Sequence, residues 1–334
     1  MCGAGMISAA HASALGLLSI PVVAVASRTR ERAETLAARV GARAIDYASL
    51  PAGADIVVVQ TPPARHCADT LQALASGAAV MVEKPLCTTL ADADSIVAAA
   101  HSSGHGVMYA ENLAYAPVVQ QFVRHVRRIG PLTHLEVRAS NPLPSWGDFT
   151  TDDWGGGVLF DLGVHPLAAV VLAAAPARPV SVRARLEGSP TRRHGTDEHA
   201  EVTVRFDSGL SATVIASWRA PDSGLWDAQA ASANGVVRAE LLPHPSLEVN
   251  GEPMALEPAR SRVPAVEHYG YLGQWQAFID DLATQRRPLM DADFGRMMLD
   301  IVCASYASAA SGNEERTPFS GPRDRTPLQL WRGR

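Results

Sequence analysis

The first third of the chain is a regular alternation, and that alternation limits what it can build. Short apolar runs rich in β-branched residues at 22–26, 56–60, 80–82 and 107–109 read as buried strands. Between them, 30–40, 65–76 and 90–102 have helix-forming composition, with Gly41, Gly77 and Gly104 set as stops. Repeated strand–helix–strand units require a parallel sheet with helices on both faces. From about Gly130 the texture changes. Runs at 132–139, 180–187, 200–206, 210–218 and 236–241 read as longer strands, several of them alternating polar with apolar residues. Asp207-Ser208-Gly209 forms a hairpin turn between two of these runs, so this half is expected to be an open, mostly antiparallel sheet. Helices are expected over 161–174, 269–285 and 291–310, with irregular chain after Gly312.

Composition narrows the function classes. The 334 residues are 47% hydrophobic and 19% charged, which excludes a disordered chain and leaves length for two domains. The net charge is −5 and the basic residues are scattered, so nucleic acid is not an expected partner. No apolar run reaches the roughly 18 residues of a membrane span, and the start lacks a basic-then-apolar leader. A cytoplasmic location is expected. The four cysteines show no paired framework or C-x-x-C spacing, and the 11 histidines no H-x-H spacing. Reduced thiols and no metal follow, with His194 and His199 read as surface residues.

Gly3-Ala4-Gly5-Met6-Ile7-Ser8 fits G-x-G-x-x-S. There Gly3 and Gly5 allow a tight turn and close approach of a pyrophosphate at Met6 and Ile7, and Ser8 supplies the small third position. Only Met1 and Cys2 precede this turn, so the strand that should lead into it is expected to be missing, with a gap at the centre of the sheet. After the strand at 22–26 the chain reads Ser27-Arg28-Thr29-Arg30, without the carboxylate that would accept ribose hydroxyls. Ser27 and Arg28 suit a 2′-phosphate, so NADP(H) is preferred and NAD(H) possible; the alternative is a solvated basic loop.

One residue count points to chemistry. Of the 29 Lys and Arg residues, only Lys84 is a lysine. Arginine replaces lysine wherever a positive surface suffices, but it does not supply a compact, titratable amine. Lys84 lies in Glu83-Lys84-Pro85, and Thr61-Pro62-Pro63-Ala64-Arg65-His66 lies one strand earlier. Both follow strands at the carboxyl edge, where doubly wound folds bind ligands. Further on, Gly155-Gly156-Gly157-Val158-Leu159-Phe160-Asp161-Leu162-Gly163-Val164-His165 sets Asp161 and His165 four apart, on one face if the segment is helical. An imidazole there can exchange protons near neutral pH; the alternative is a hydrogen-bonded core histidine. Trp146, Phe149, Trp154 and Asn141 can line a substrate, or simply pack.

These motifs in this order, G-x-G-x-x-S, T-P-x-x-x-H, E-K-P and G-G-G-x-L-x-D-x-G-x-H, resemble the Gfo/Idh/MocA oxidoreductases. The resemblance implies an α/β chain with an N-terminal Rossmann-type domain over 1–114 and a C-terminal α/β domain over 115–334. It implies a nicotinamide cofactor held by Gly3, Gly5, Met6, Ile7, Ser27, Arg28, Thr61, Pro62, His66, Glu83 and Lys84. It also matches Lys84 and His165 to catalytic positions, with Asp161 beside them, and makes the open sheet a homo-oligomer interface. The activity implied is hydride transfer between nicotinamide and a secondary alcohol or ketone of a sugar, cyclitol or related polyol. Two other readings stay open: a cofactor-binding sensor without turnover, and a reductase of a non-sugar. Asn112-Leu113-Ala114-Tyr115 departs from the more basic segment of many relatives.

Overall fold

A computed structural model describes residues 1–50, 53–145, 147, 149, 154–188, 195–220 and 222–333. Trp146 and His194 lie outside the described residues. The chain forms two units. The first is Met1–Cys87, Ala91–Ala116 and Ala259–Arg296; the second is Thr88–Leu90, Pro117–Pro258 and Met297–Arg334. A single cut after residue 114 leaves out the return of Ala259–Arg296 to the first unit. That return brings back Trp275 and Phe278, both buried, and Trp275 reaches His11.

In the first unit the elements are α1 (Ser8–Leu17), β1 (Ala24–Ala26), α2 (Arg30–Val40), β2 (Arg43–Ile45), β3 (Ile56–Val59), α3 (Pro63–Ala75), β4 (Ala79–Glu83), α4 (Leu90–Ser103) and β5 (Val107–Ala110). β1 pairs with β2, and β3 with β4 and β4 with β5, all parallel. The expected gap between β1 and β3 is bridged. Cys2 makes parallel bridges to both Ala26 and Val59. Its N–H donates to the Val58 carbonyl at 2.7 Å and its carbonyl accepts from Gln60 at 2.9 Å, while the Ala26 N–H reaches the Met1 carbonyl at 3.0 Å. Two residues thus give the sheet a central rung next to the Gly3 turn. All five residues of β4 are buried, as a strand covered on both faces demands. α3 opens with Pro63, whose absent N–H costs nothing in a first turn.

The second unit holds α5 (Pro117–Val126), β6 (Leu132–Ser140), α6 (Val158–Asp161), α7 (Val164–Ala174), β7 (Pro179–Gly188), β8 (Asp197–Phe206), β9 (Ser211–Ser217), β10 (Leu225–Ser232), β11 (Gly235–Leu242), β12 (Ser246–Val249) and β13 (Glu252–Pro253). The returning segment of the first unit carries α8 (Pro264–His268) and α9 (Tyr271–Ala283). α10 (Ala292–Ser311) contains the cut after Arg296, and β14 (Glu315–Arg316) and α11 (Pro327–Trp331) complete the second unit. Nine strands form one sheet in the order β13-β12-β11-β10-β6-β9-β8-β7-β14. Every pair is antiparallel except β6 with β9. In β8, Ala200, Val202, Val204 and Phe206 are buried while Glu201 and Arg205 alternate with them on the exposed face.

The segment after Gly312 corrects the expectation of irregular chain. β14 adds a ninth strand beside β7, and α11 starts with a reciprocal cap between Thr326 and Gln329. Among the described residues no helix is long and apolar enough to cross a membrane, and no cluster of His, Cys, Asp or Glu is placed to hold a metal.

Candidate active site

The Gly3 turn is built for close approach. Gly3 has φ +116°, and a Cβ there would lie 2.5 Å from the Gln60 carbonyl oxygen, so no other residue fits. Above Gly5 there is open space to 4 Å. The N–H groups of Ala4, Gly5, Met6 and Ile7 make no hydrogen bond within the described residues, and the first turn of α1 carries no acidic side chain. Unpaired amides at a helix start without a competing carboxylate fit an anionic pyrophosphate. At the end of β1, Ser27 Oγ accepts the Thr29 N–H at 3.3 Å and Arg28 is exposed. Arg30 is engaged elsewhere, with Glu34 at 2.7 Å and Asp46 at 3.3 Å. Among the described residues Arg28 is thus the guanidinium of this loop without an ion-pair partner.

Lys84 leaves β4 on a loop with three buried ties. Glu83, 5% exposed, accepts the Lys84 N–H at 3.1 Å through Oε2 and meets His11 Nε2 at 2.8 Å through Oε1. The indole N–H of Trp275 points at His11 Nδ1 at 3.0 Å. Indole only donates, so Nδ1 accepts and the His11 hydrogen sits on Nε2, where Glu83 takes it. The third tie is His66. Its Nδ1 faces the Pro85 carbonyl at 2.8 Å and its Nε2 the Thr61 carbonyl at 2.7 Å, which joins the Thr61 and Lys84 loops. Burial pulls the His66 imidazole below its ordinary pKa, and the two carbonyls offset only part of that. For Glu83 the balance runs differently. Burial alone would raise the carboxyl, but the His11 hydrogen bond and the charge of Lys84 hold it below the usual range. Thr61 donates its hydroxyl to Asp69 at 2.7 Å, and Pro62 caps α3. Lys84 itself is half-buried.

In the second unit the expected helix over 161–174 is divided. Asp161 ends the four-residue α6 and His165 is the second residue of α7. Between them the Gly163 N–H turns back to the Val158 carbonyl at 2.9 Å, and the His165 N–H bonds Leu162 at 3.2 Å rather than Asp161. Glycine is required at this break: a Cβ on Gly163 would stand 2.6 Å from the Leu159 carbonyl oxygen. The one-face argument from a continuous helix therefore does not apply. Asp161 is 6% exposed and His165 half-buried. Phe149 and Trp218, both 5% exposed, meet edge to face at 5.1 Å, and Phe149 meets Trp154 at 4.7 Å. These aromatics form a packing cluster, while Asn141 continues the sheet by donating its N–H to Ser217 at 2.9 Å.

Sequence reasoning missed four residues that hold these segments: His11, Trp275, Asp197 and Tyr306. His11 and Glu83 are 72 positions apart, and Tyr306 and Asp197 are 109 apart. No local pattern joins such pairs. Only the glycine run at Gly155–Gly157 hinted that something crowds that turn.

Comparison with known proteins accounts for both units. Residues 1–111 match the model described as an oxidoreductase family with an NAD-binding Rossmann fold, and residues 121–253 match the GFO/IDH/MocA C-terminal domain. The D-glucoside 3-dehydrogenase of Escherichia coli (strain K12) is 26% identical over 320 residues, covering 88% of this chain and 89% of that protein. The dTDP-3,4-didehydro-2,6-dideoxy-alpha-D-glucose 3-reductase of Streptomyces antibioticus is 35% identical over 161 residues, covering 46% of this chain and 48% of its own, so that match spans about half the relative's length. A levoglucosan dehydrogenase solved with NADH and L-sorbose superposes with a TM-score of 0.85 over 95% of this chain and 97% of that one, at 17% identity, which establishes the shared fold. With the glycine turn, the E-K-P loop and the G-G-G segment each found in the half that its matching model covers, the chain belongs to the Gfo/Idh/MocA oxidoreductase family.

Proposed function

We propose that this protein is an NADP(H)-dependent oxidoreductase interconverting a secondary alcohol and a ketone on a sugar, cyclitol or related polyol. The observation that carries the reading is Lys84. The only lysine of the chain leaves the carboxyl edge of a buried strand on a loop tied down by Glu83, His11 and His66. A surface charge needs no such scaffold. Sugar chemistry is supported by the relatives, two named for glucose derivatives and one solved with L-sorbose.

The residues present suit the nucleotide. The amides of Ala4 to Ile7 would take the pyrophosphate, Ser27 and Arg28 a 2′-phosphate, and the Thr61–Pro62 and Lys84 loops the nicotinamide half. Glu83 and His66 serve by holding those loops, since their polar atoms are already engaged within the protein. When bound, the nicotinamide supplies the hydride chemistry. The protein manages the proton. His165 accepts it from the substrate hydroxyl during oxidation and returns it to the oxygen during reduction. Lys84 donates a hydrogen bond that stabilises developing negative charge on the substrate, and Asp161 orients the imidazole. The exposed face of the nine-stranded sheet, crossed by the Arg138–Asp227 pair, is the proposed homo-oligomer interface.

Fluorescence titration with NADPH and NADH, followed by absorbance screening of glucosides, cyclitols and keto-sugars, tests this reading. NADPH is expected to bind more tightly, with turnover on at least one polyol. Tighter NADH binding would overturn the role given to Ser27 and Arg28. Cofactor binding with no turnover on any polyol or keto-sugar would favour a sensor.

A further inference from the structure

The glycines at the start of the His165 segment are spent on a buried carboxylate. Asp197, fully buried at the start of β8, accepts the Gly157 N–H at 3.0 Å and the Tyr306 hydroxyl at 2.5 Å on Oδ1, and the Leu159 N–H at 2.9 Å on Oδ2. The Tyr306 oxygen also lies 3.0 Å from the Gly157 nitrogen. A Cβ on Gly157 would fall 2.3 Å from the Asp197 carbonyl oxygen and 2.4 Å from its Oδ1, and one on Gly156 would fall 2.9 Å from the Tyr306 oxygen. Glycine is thus the residue that lets the backbone reach this anchor.

The anchor acts where the chain has no slack. Gly157 caps α6, whose first amides have no helical partner, and Asp197 supplies the acceptors. α6 is four residues long and ends at Asp161, and the Gly163 N–H returns to Val158 within the anchored turn. A displacement at Gly157 is therefore passed on to Asp161 and then His165.

We propose that Asp197 and Tyr306 are positioning residues for His165, setting the backbone from Gly157 to Leu159 and so the placement of the imidazole. The proposal rests on the reading that His165 exchanges the substrate proton. Neither residue touches the reacting atoms in this scheme. Their effect is on geometry, where an error of about 1 Å can cost on the order of a hundredfold in rate.

Tyr306→Phe is the sharpest probe, because it removes one hydroxyl and keeps the ring against Trp331, 6.3 Å away. Histidine NMR across pH, with the His165 signal assigned by its absence in His165→Ala, reads the imidazole without any substrate. Tyr306→Phe is expected to move the His165 midpoint by about half a pH unit or more and to leave His11 and His66, of the other unit, in place. On the best polyol from the screen, kcat should fall roughly tenfold with KM little changed, and Asp197→Asn, which retains one carbonyl acceptor, should fall between wild type and Asp197→Ala. An unchanged His165 titration in both Tyr306→Phe and Asp197→Asn would overturn the proposal, as would loss of kcat in Tyr306→Phe that persists undiminished in a His165→Ala background. Full turnover by His165→Ala alone would instead reject the catalytic role of His165, and the titration shift would still report the anchor.

Discussion

Glu83 and Asp197 make an instructive pair. Each is a buried carboxylate that fixes the backbone beside a candidate reactive group, Lys84 in the first unit and His165 in the second. Their surroundings differ. Glu83 has a lysine neighbour and a hydrogen bond from His11, and its carboxyl is held below the usual range despite burial. Asp197 is surrounded by dipoles. Burial pushes its carboxyl up, and the Leu159 N–H, the Tyr306 hydroxyl and the Gly157 N–H pull it back only in part. A carboxylate beside a cationic neighbour tolerates burial in charged form, whereas one held by neutral donors alone leans toward its proton.

Substitutions can break this comparison at several points, and the largest effect is expected from the proposed reactive groups themselves. Lys84→Arg keeps the charge but not the compact amine, so its turnover should fall almost as far as that of Lys84→Ala, by about 10²-fold or more in a nicotinamide absorbance assay. Loss confined to Lys84→Ala would reduce Lys84 to a simple positive charge. Next is Glu83→Ala. It leaves the His11 donor buried without an acceptor, and denaturant unfolding should show destabilisation of about 2 kcal/mol. An unchanged midpoint would mean that the His11 contact does not hold the loop.

The pH response sharpens the contrast through its sign. Glu83 has a depressed folded pKa, so its stabilisation is present above the ordinary carboxylate range and is lost as pH falls through the folded value. Asp197 has a raised one, so its contribution is full below that range and is lost as pH rises through the folded value. Unfolding followed from acid to neutral pH should therefore lose its acid-side sensitivity in Glu83→Gln and its neutral-side penalty in Asp197→Asn. Matching pH profiles in the two variants would mean that the surroundings do not govern the two carboxyls. The smallest effect is that of Arg28→Ala, which should weaken NADPH by roughly tenfold while leaving NADH unchanged, about the worth of one charge-assisted contact.

How much of this was legible in the sequence follows from the range of each interaction. The parallel core was readable because β3, β4 and β5 are short, mostly apolar runs, and the hairpin at Asp207-Ser208-Gly209 because its turn chemistry is local. The bridging of the sheet by Cys2 was not, since two residues carry no periodicity. Nor was the division of α6 from α7, where Gly163 lies close against Leu159. α11 was readable after all in its Thr326–Gln329 cap, a signal that Pro and Arg around it obscured. The candidate reactive residues stood out through scarcity and motif. Their supports, His11, Trp275, Asp197 and Tyr306, come from distant parts of the chain and became visible only when it was folded.

The central proposal is that the Lys84 amine and the His165 imidazole both act in a single turnover. It is tested most directly by kcat/KM for Lys84→Ala, His165→Ala and the double variant on a single polyol with NADPH. Groups acting as a unit lose their contribution together, so each single variant should fall by about 10²-fold or more and the double should fall little below the worse of them. A double variant whose loss is the full product of the two, or wild-type turnover in either single, would contradict the claim.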